Sequence, residues 1–513
     1  MELKTYLSRT FELLRREWPL ALLIAATLIL QTLFYSASVP NVFPDSSSYQ
    51  LLAEAIMKGD WGHVGFVFRT PGYPVFLAII NWCFGLKNWN AVMTIQFLCG
   101  SLIPILLYAI YYTITSSRLL AAVGACGFLL DRYSLGLQTV PLSEFMGGFT
   151  VILALAGYLW FVRKKAWWSA IVVGLLFFIN LIIRPSFQML FVCAAVGGLG
   201  IELLYYEGRL RWRRALIWYG IFVLTTQAGI WGWSLVIYRN TGVFGLSHQL
   251  GASMTNQTGT MMELAPDEYA SIRDMYVKER DLNKGDHINL FDHIGWKIAD
   301  ANKITMWQLS LKFNEINKYL TTHYPGRYLG QVRYAWHRLW TDDSRYQTDI
   351  TDPDGSGTGK FEPTPLFRYI ATSPMLKNVY APIDSHLWDN VALLAWMPWI
   401  IMLLTVAAIF IVRRNCRAVL GIAMVVGTAM YHMLLHAMVQ FTEFGRYKMP
   451  IQALWFSYVI MAISLICNQI WIILRRRFGE TTIRQTRQNK QDFQRVKSRS
   501  AQNAKRSKTS KMR

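Results

Sequence analysis

The sequence predicts an all-α polytopic membrane protein with about ten transmembrane helices, interfacial or re-entrant helices and a small helical external subdomain. Two observations carry this prediction. First, 53% of the 513 residues are hydrophobic, only 16% are charged, and the mean hydropathy is +0.24. Second, apolar runs of about 20 residues, the length needed to cross a bilayer, recur along the chain. The six cysteines lie mostly inside these runs, so a disulfide framework is not expected.

Ten apolar runs are long enough to be spans, and an eleventh, 72–86, is short and begins near a proline. The predicted spans are 19–38, 91–115, 118–134, 144–162, 167–183, 185–204, 215–237, 390–412, 417–437 and 451–474. With ten spans and an internal N-terminus, the basic clusters at 163–165, 209–214, 413–417 and 475–477 all fall on the inside. Cytoplasmic loops are enriched in Lys and Arg, so this count is favoured and 72–86 is predicted to be interfacial or re-entrant.

This topology divides the chain into four parts. Residues 1–238 form an N-terminal transmembrane module with a first external loop at 39–90. Residues 239–389 form an external helical subdomain, in which 266–280 and 304–319 have the pattern of amphipathic helices. Residues 390–474 contain the C-terminal transmembrane helices, and 475–513 form a basic tail.

The tail accounts for much of the formal net charge of +21. It carries fourteen Lys and Arg against two acids, or 14 − 2 = +12, and it lacks apolar periodicity. We predict a disordered cytoplasmic segment that binds anionic lipids, and we expect no nucleic-acid partner. Both termini are predicted to be cytoplasmic.

Asp45 follows the first apolar run, in the stretch Pro44 to Trp61. One interpretation is that it caps a helix in which Tyr49 and Leu52 share the apolar face and Gly59 ends the helix. The alternative is a functional site, because other ionisable residues fall at membrane depth on the same predicted side. These are Arg69, Glu144, Arg184, Glu443 and Arg446. Charges gathered at one bilayer edge favour a site.

The residue types suggest a chemistry. A carboxylate can act as a general base, whereas arginine provides planar donors that suit phosphate at a water–lipid boundary. The phosphate of a polyprenyl-linked sugar would lie at this depth.

An ordered set of short motifs then resembles a known superfamily. The motifs are Pro-Asp45-Ser-Ser-Ser-Tyr, Arg69-Thr-Pro-Gly-Tyr-Pro, Leu-Ser-Glu144, Arg184-Pro, His323-Tyr-Pro and Arg446-Tyr-x-x-Pro. This order resembles the GT-C superfamily of integral-membrane glycosyltransferases, on the branch of protein O-mannosyltransferases and lipid A aminoarabinose transferases. The resemblance covers most of residues 10–475.

The resemblance implies an inverting glycosyltransferase that moves a sugar from a polyprenyl-phosphate donor to a glycan, lipid or protein acceptor on the outer face. Asp45 would be the catalytic base, with Glu144 as a second catalytic residue. The lipid phosphate would be held by Arg446, with Arg184, Arg69 and Lys448 assisting. The weaker candidates for acceptor or sugar binding are Tyr49, Tyr73, Glu443 and His323. The implied location is the bacterial plasma (inner) membrane of the cell envelope, and the mechanism requires Asp45 and Arg446 to meet.

No cofactor is predicted. Two adjacent acids would favour a divalent metal, but Asp45 is followed by Ser46 and Ser47, so a metal is possible and not favoured. His432 and His436 lie one helical turn apart in an apolar run, and we expect them to be packing histidines with satisfied hydrogen bonds.

Two other functions remain open. A transporter or flippase of lipid-linked glycans would be expected to show an internal repeat or charges in mid-span. An O-antigen ligase or polymerase would use a diphosphate-linked glycan, and Asp45 would then be only a helix cap.

Overall fold

The computed structural model describes residues 2–205, 209–282, 290, 293–341, 378, 380, 382, 386–387, 390–440 and 446–476. Every regular element in these ranges is helical. The chain is made of two compact units, residues 1–462 and 463–513. In the second unit the described residues, 463–476, are helical. The predicted tail from 477 onward and the predicted site residue Glu443 lie outside the described residues.

The N-terminal part contains eleven α-helices, which we number in chain order. They are α1 (Glu2–Ser36), α2 (Pro44–Met57), α3 (Gly72–Phe84), α4 (Trp89–Thr115), α5 (Arg118–Ala125), α6 (Gly127–Leu130), α7 (Arg132–Gly136), α8 (Ser143–Lys164), α9 (Trp167–Ile183), α10 (Leu190–Tyr205) and α11 (Arg209–Thr241). The helices that follow are α12 (Leu250–Thr258), α13 (Ala270–Leu282), α14 (His293–Ala301), α15 (Met306–His323), α16 (Pro325–Thr341), α17 (Val391–Val412), α18 (Cys416–Val439) and α19 (Arg446–Arg476).

Eight helices in the described ranges are long and apolar enough to cross a membrane. Seven lie in α1, α4, α8, α11, α17, α18 and α19, and the eighth is the 21-residue segment Pro185–Tyr205, which includes α10. A ninth span results if the bent pair Arg118–Leu130 and Arg132–Thr139, which meet at 61°, crosses as one unit. The protein is therefore an all-helical polytopic membrane protein, as the sequence predicted.

The structure differs from the ten-span prediction at two places. The predicted span 167–183 is α9, a helix of only 17 residues, which at about 1.5 Å per residue is shorter than a hydrocarbon core of about 30 Å. The predicted span 118–134 is broken at Asp131, whose carboxylate accepts a hydrogen bond from the backbone N–H of Tyr133 and so begins a new helix. The segment 72–86 forms the short apolar helix α3.

Helices α12 to α16 enclose a separate hydrophobic cluster, which includes Tyr276, Phe313, Ile316 and Leu320. Polar side chains of this segment form hydrogen bonds with the transmembrane helices. Gln257 Nε2 donates to the carbonyl oxygens of Ala437 and Gln440, both at 2.6 Å. Carbonyls at a helix C-terminus have no partner within the helix, so this side chain satisfies the end of α18.

Helix α8 is the most enclosed of the spanning helices, with 72% of its apolar window buried. Its small residues allow close approach of its neighbours. A Cβ on Gly148 would lie 2.5 Å from the carbonyl oxygen of Pro450, and a Cβ on Gly147 would lie 2.9 Å from Cδ of Arg184. These two glycines therefore let the start of α19 and the end of α9 pack directly against the first turns of α8.

A candidate active site built from five charged residues

Asp45 lies in the first turn of α2, which begins one residue earlier at Pro44. The structure corrects the capping interpretation, because the residue before the helix is Phe43 and the carboxylate of Asp45 does not bond to the helix backbone. The predicted end of the helix is correct, since α2 stops at Met57 and Gly59 has φ of +75°. The carboxylate is free of a capping role and points to two arginines.

The first arginine is Arg69, on the segment between α2 and α3. Its Nη2 donates to Asp45 Oδ1 at 2.6 Å. Its guanidinium also lies over the ring of Tyr49, 4.3 Å from the ring centre. Tyr49 is one turn after Asp45 on α2, so a single helical face provides both the carboxylate and the aromatic surface that hold Arg69.

The second arginine is Arg446, the first residue of α19. Its Nη2 donates to Asp45 Oδ2 and its Nε donates to Glu144 Oε1, both at 2.6 Å. One guanidinium therefore joins two carboxylates from different parts of the chain. The planar, fixed geometry of arginine donors makes this bridge possible, whereas lysine would provide a single charged point.

Glu144 lies in the first turn of α8, and its side chain is only 2% exposed. The same oxygen that binds Arg446 is 3.5 Å from Nη1 of Arg184, which follows the C-terminus of α9. Arg184 Nη1 also donates to Ser143 Oγ at 3.4 Å, and Ser143 Oγ is hydrogen-bonded to the hydroxyl of Tyr49. The charged residues thus form a continuous series: Arg69, Asp45, Arg446, Glu144 and Arg184.

The series contains three guanidinium groups and two carboxylates, so its formal charge is 3 − 2 = +1. Asp45 and Glu144 lie at helix N-termini and Arg184 follows a helix C-terminus, positions that the helix dipole favours. The excess positive charge suits an anionic ligand.

Asp45 is the most accessible acid of the series, with a third of its side chain exposed. Burial would raise its pKa, but the charges of Arg69 and Arg446 outweigh that effect and lower the pKa of Asp45 to about 2. The carboxylate is therefore ionised at neutral pH. It accepts protons poorly as long as both arginines hold it.

Of the other predicted site residues that the structure describes, Tyr73 adjoins the series, since its ring centre is 5.0 Å from that of Tyr49. Tyr73 is fully buried, and its hydroxyl donates to Gln96 Oε1 at 3.3 Å. Lys448 is buried two residues after Arg446. His323 is exposed at the end of α15, where its hydrogen bonds are with Tyr319 and Thr322 of its own helix.

His432 and His436 are buried on α18, as predicted, but the expectation of satisfied hydrogen bonds is wrong for His436. His432 Nε2 bonds the carbonyl oxygen of Tyr447 at 2.9 Å. Neither ring nitrogen of His436 has a partner among the described residues, although the side chain is only 7% exposed. The two rings adjoin, with centroids 4.4 Å apart, but the one-turn spacing does not reveal their hydrogen-bond partners.

Sequence reasoning missed two groups that support the site. Ser143, adjacent to Glu144, links Tyr49 to Arg184. Asp131 is fully buried and accepts a hydrogen bond from Gln452 Nε2 at 2.9 Å, which joins the broken helix to α19 six residues after Arg446. A carboxylate inside an apolar run is the signal that could have identified Asp131.

Within the ranges that the structure describes, no group of three or more His, Cys, Asp or Glu residues is arranged to hold a metal ion.

No protein-family model matches the chain, and no curated protein matches it. Among solved structures, it is similar to the archaeal oligosaccharyltransferase AglB from Archaeoglobus fulgidus, in complex with an inhibitory peptide and a dolichol-phosphate. The sequence identity is 11% and the TM-score 0.48, and the match covers 90% of this chain and 52% of AglB. The chain thus spans about half the length of that protein.

Proposed function

We propose that the protein is an inverting glycosyltransferase that uses a polyprenyl-phosphate-linked sugar and works at the outer face of a plasma membrane. The observation that carries the proposal is the bridge made by Arg446 between Asp45 and Glu144. It joins a carboxylate that a ligand can reach to the buried pair of Glu144 and Arg184. The order of the sequence motifs, which resembles the GT-C superfamily, supports the same reaction.

In this mechanism Asp45 takes a proton from the acceptor hydroxyl or amine. The acceptor atom forms a bond to the anomeric carbon as the bond from that carbon to the phosphate oxygen breaks. The electron pair of the broken bond remains on the phosphate. Attack from the side opposite the leaving group inverts the configuration.

The leaving phosphate needs stabilisation of its charge more than it needs a proton. Arg446 and Arg184 contact the same oxygen of Glu144, at 2.6 and 3.5 Å, so one phosphate can reach both. Phosphate bound to Arg446 competes with Asp45 for that guanidinium. Asp45 then loses one of its two cations and becomes a better base at the moment the donor is in place.

The decisive experiment compares cell-envelope glycans by mass spectrometry from cells that carry the wild-type gene, no gene, Asp45→Asn or Asp60→Asn. Asp60 is an exposed acid in the same segment as Asp45 and serves as the matched control. We expect the gene to add a sugar to an envelope component, Asp45→Asn to remove that product and Asp60→Asn to retain it. A product that persists in a folded Asp45→Asn protein would disprove the mechanism, and glycan movement without a new glycosidic bond would indicate a transporter.

A further inference from the structure

Next to the charged series, beyond Arg184, lies a group of buried polar atoms that the proposed reaction does not yet use. Arg184 Nε, Ser186 Oγ, His432 Nδ1 and both ring nitrogens of His436 are buried and have no hydrogen-bond partner among the described residues. Arg184 is 7% exposed, and His432 is completely buried. Buried polar groups are almost always paired, so these atoms have hydrogen-bonding capacity that a bound ligand can use.

Packing places these groups together. The ring of His432 stacks on Phe187, three residues after Arg184, with ring centres 4.7 Å apart. The ring of His436 stacks on Tyr447, next to Arg446, also at 4.7 Å. The two imidazole rings adjoin, with centroids 4.4 Å apart. The two histidines therefore lie between the segment that carries Arg184 and the segment that carries Arg446.

The chemistry of these atoms suits an anion with several acceptor oxygens. Arg184 Nε carries a hydrogen and is always a donor, and a neutral imidazole provides one N–H. Arg69 and Arg446 already bind carboxylates at 2.6 Å, whereas the interactions of Arg184 with Ser143 and Glu144 are longer, at 3.4 and 3.5 Å. Arg184 is thus the guanidinium of the series with the weakest contacts, and it provides the excess positive charge.

We propose that Arg184 Nε and His436 complete the seat of the phosphate group, so that the lipid phosphate that reaches Arg446 and Arg184 also binds to His436. His432 positions its neighbour by keeping its own Nε2 on the carbonyl of Tyr447. This inference rests on the proposed function for the source of the phosphate. It assigns His436 a role in binding that the packing interpretation does not include.

The substitution His436→Phe separates the two interpretations, because phenylalanine preserves the stack on Tyr447 and removes both ring nitrogens. If His436 only packs, the variant should be as stable as the wild type or more stable, and should bind ligands normally. If His436 binds phosphate, the variant should keep its melting temperature and lose affinity for phosphate by about tenfold or more, the effect of one hydrogen bond to a charged group. His337→Phe is the control, since His337 is exposed on α16.

The measurement is binding of farnesyl phosphate, farnesol and inorganic phosphate to purified full-length protein in nanodiscs, with the melting temperature recorded for each variant. We expect farnesyl phosphate to bind wild type and His337→Phe alike, and His436→Phe at least about tenfold more weakly. Farnesol binding should be weak and equal in all three. Competition by millimolar inorganic phosphate alone would indicate that the seat takes free phosphate, whereas a requirement for the farnesyl chain indicates a lipid source.

Equal binding of farnesyl phosphate by a folded His436→Phe protein would overturn the inference, as would equal affinity of the wild type for farnesol. These results are independent of glycosyl transfer. If His436 is found to bind phosphate and no sugar transfer occurs, only the proposed function is refuted. If sugar transfer depends on Asp45 but not on His436, only the phosphate seat is refuted.

Discussion

Replacing Asp45 by asparagine should stop transfer, but it should also disturb the charges around it. The series of five residues changes from a charge of +1 to +2, because Asp45 is the partner of both Arg69 and Arg446. Loss of one partner of a fully buried ion pair costs about 3–5 kcal/mol. Since a third of the Asp45 side chain is exposed, we expect a smaller loss, about 1–2 kcal/mol. Loss of activity in this variant alone could therefore reflect misfolding.

The double variant Asp45→Asn/Arg69→Gln separates the two effects. It removes one negative and one positive charge, so the series returns to +1. We expect its unfolding midpoint to recover most of the loss, whereas sugar transfer should stay reduced by about 10²–10⁴-fold, the usual contribution of a general base. Arg69→Gln alone retains the base and should transfer faster than the double variant.

The assay measures initial rates of sugar transfer from a labelled polyprenyl-phosphate donor in membranes, together with thermal unfolding of the purified proteins followed by tryptophan fluorescence. Twenty tryptophans provide a strong signal. A stable double variant that transfers sugar at a rate close to the wild type would refute the assignment of Asp45 as the base. A double variant no more stable than Asp45→Asn would refute the expectation that returning the series to a charge of +1 restores stability.

Three further predictions follow from the same contacts. Because the pKa of Asp45 is lowered from 3.8 to about 2, its ionised form contributes stability at pH values above about 4, and this contribution is lost only as the pH falls through about 2. Between about pH 5 and 8 the rate of sugar transfer should therefore not decline on the acid side, in the wild type or in Arg69→Gln. Glu144→Gln leaves Arg446 and Arg184 without their shared acid, so we expect it to lower the free energy of unfolding by about 3–5 kcal/mol, measured by denaturation in detergent. Gly148→Ala would place a Cβ 2.5 Å from the carbonyl oxygen of Pro450 and should lower the melting temperature, whereas Gly197→Ala, with nothing within 4 Å, should not.

The spanning helices were predictable because hydropathy directly reports burial in lipid. Apolar runs alone identified the regions of all eight helices that meet the length and composition of a span among the described residues. The apolar runs did not predict the break at Asp131. The carboxylate of Asp131 accepts hydrogen bonds from Tyr133 and Gln452 and interrupts a run that is otherwise continuous. Local hydrogen bonding of this kind contributes little to an average over many residues, so a window of hydropathy cannot detect it.

The members of the charged series were predictable, but their pairing was not. Sidedness and residue type singled out Asp45, Glu144 and the three arginines before any contact was known. The sequence could not show that Arg446 uses separate nitrogens for Asp45 and Glu144. That arrangement depends on the close approach of α8 and α19, which glycine at 148 permits. The sequence likewise could not show that Asp45 binds the side chains of two arginines rather than capping its own helix.

The bridge made by Arg446 also has a consequence for the order in which the chain is assembled. Asp45 and Arg446 are 401 residues apart, and translation delivers the N-terminal residue first. Until the final spanning segment enters the bilayer, the first acid has only Arg69 and the second only the weak contact with Arg184. A nascent or truncated polypeptide thus contains both acids without the cation that links them, so the charged series is complete only once α19 has joined the other helices.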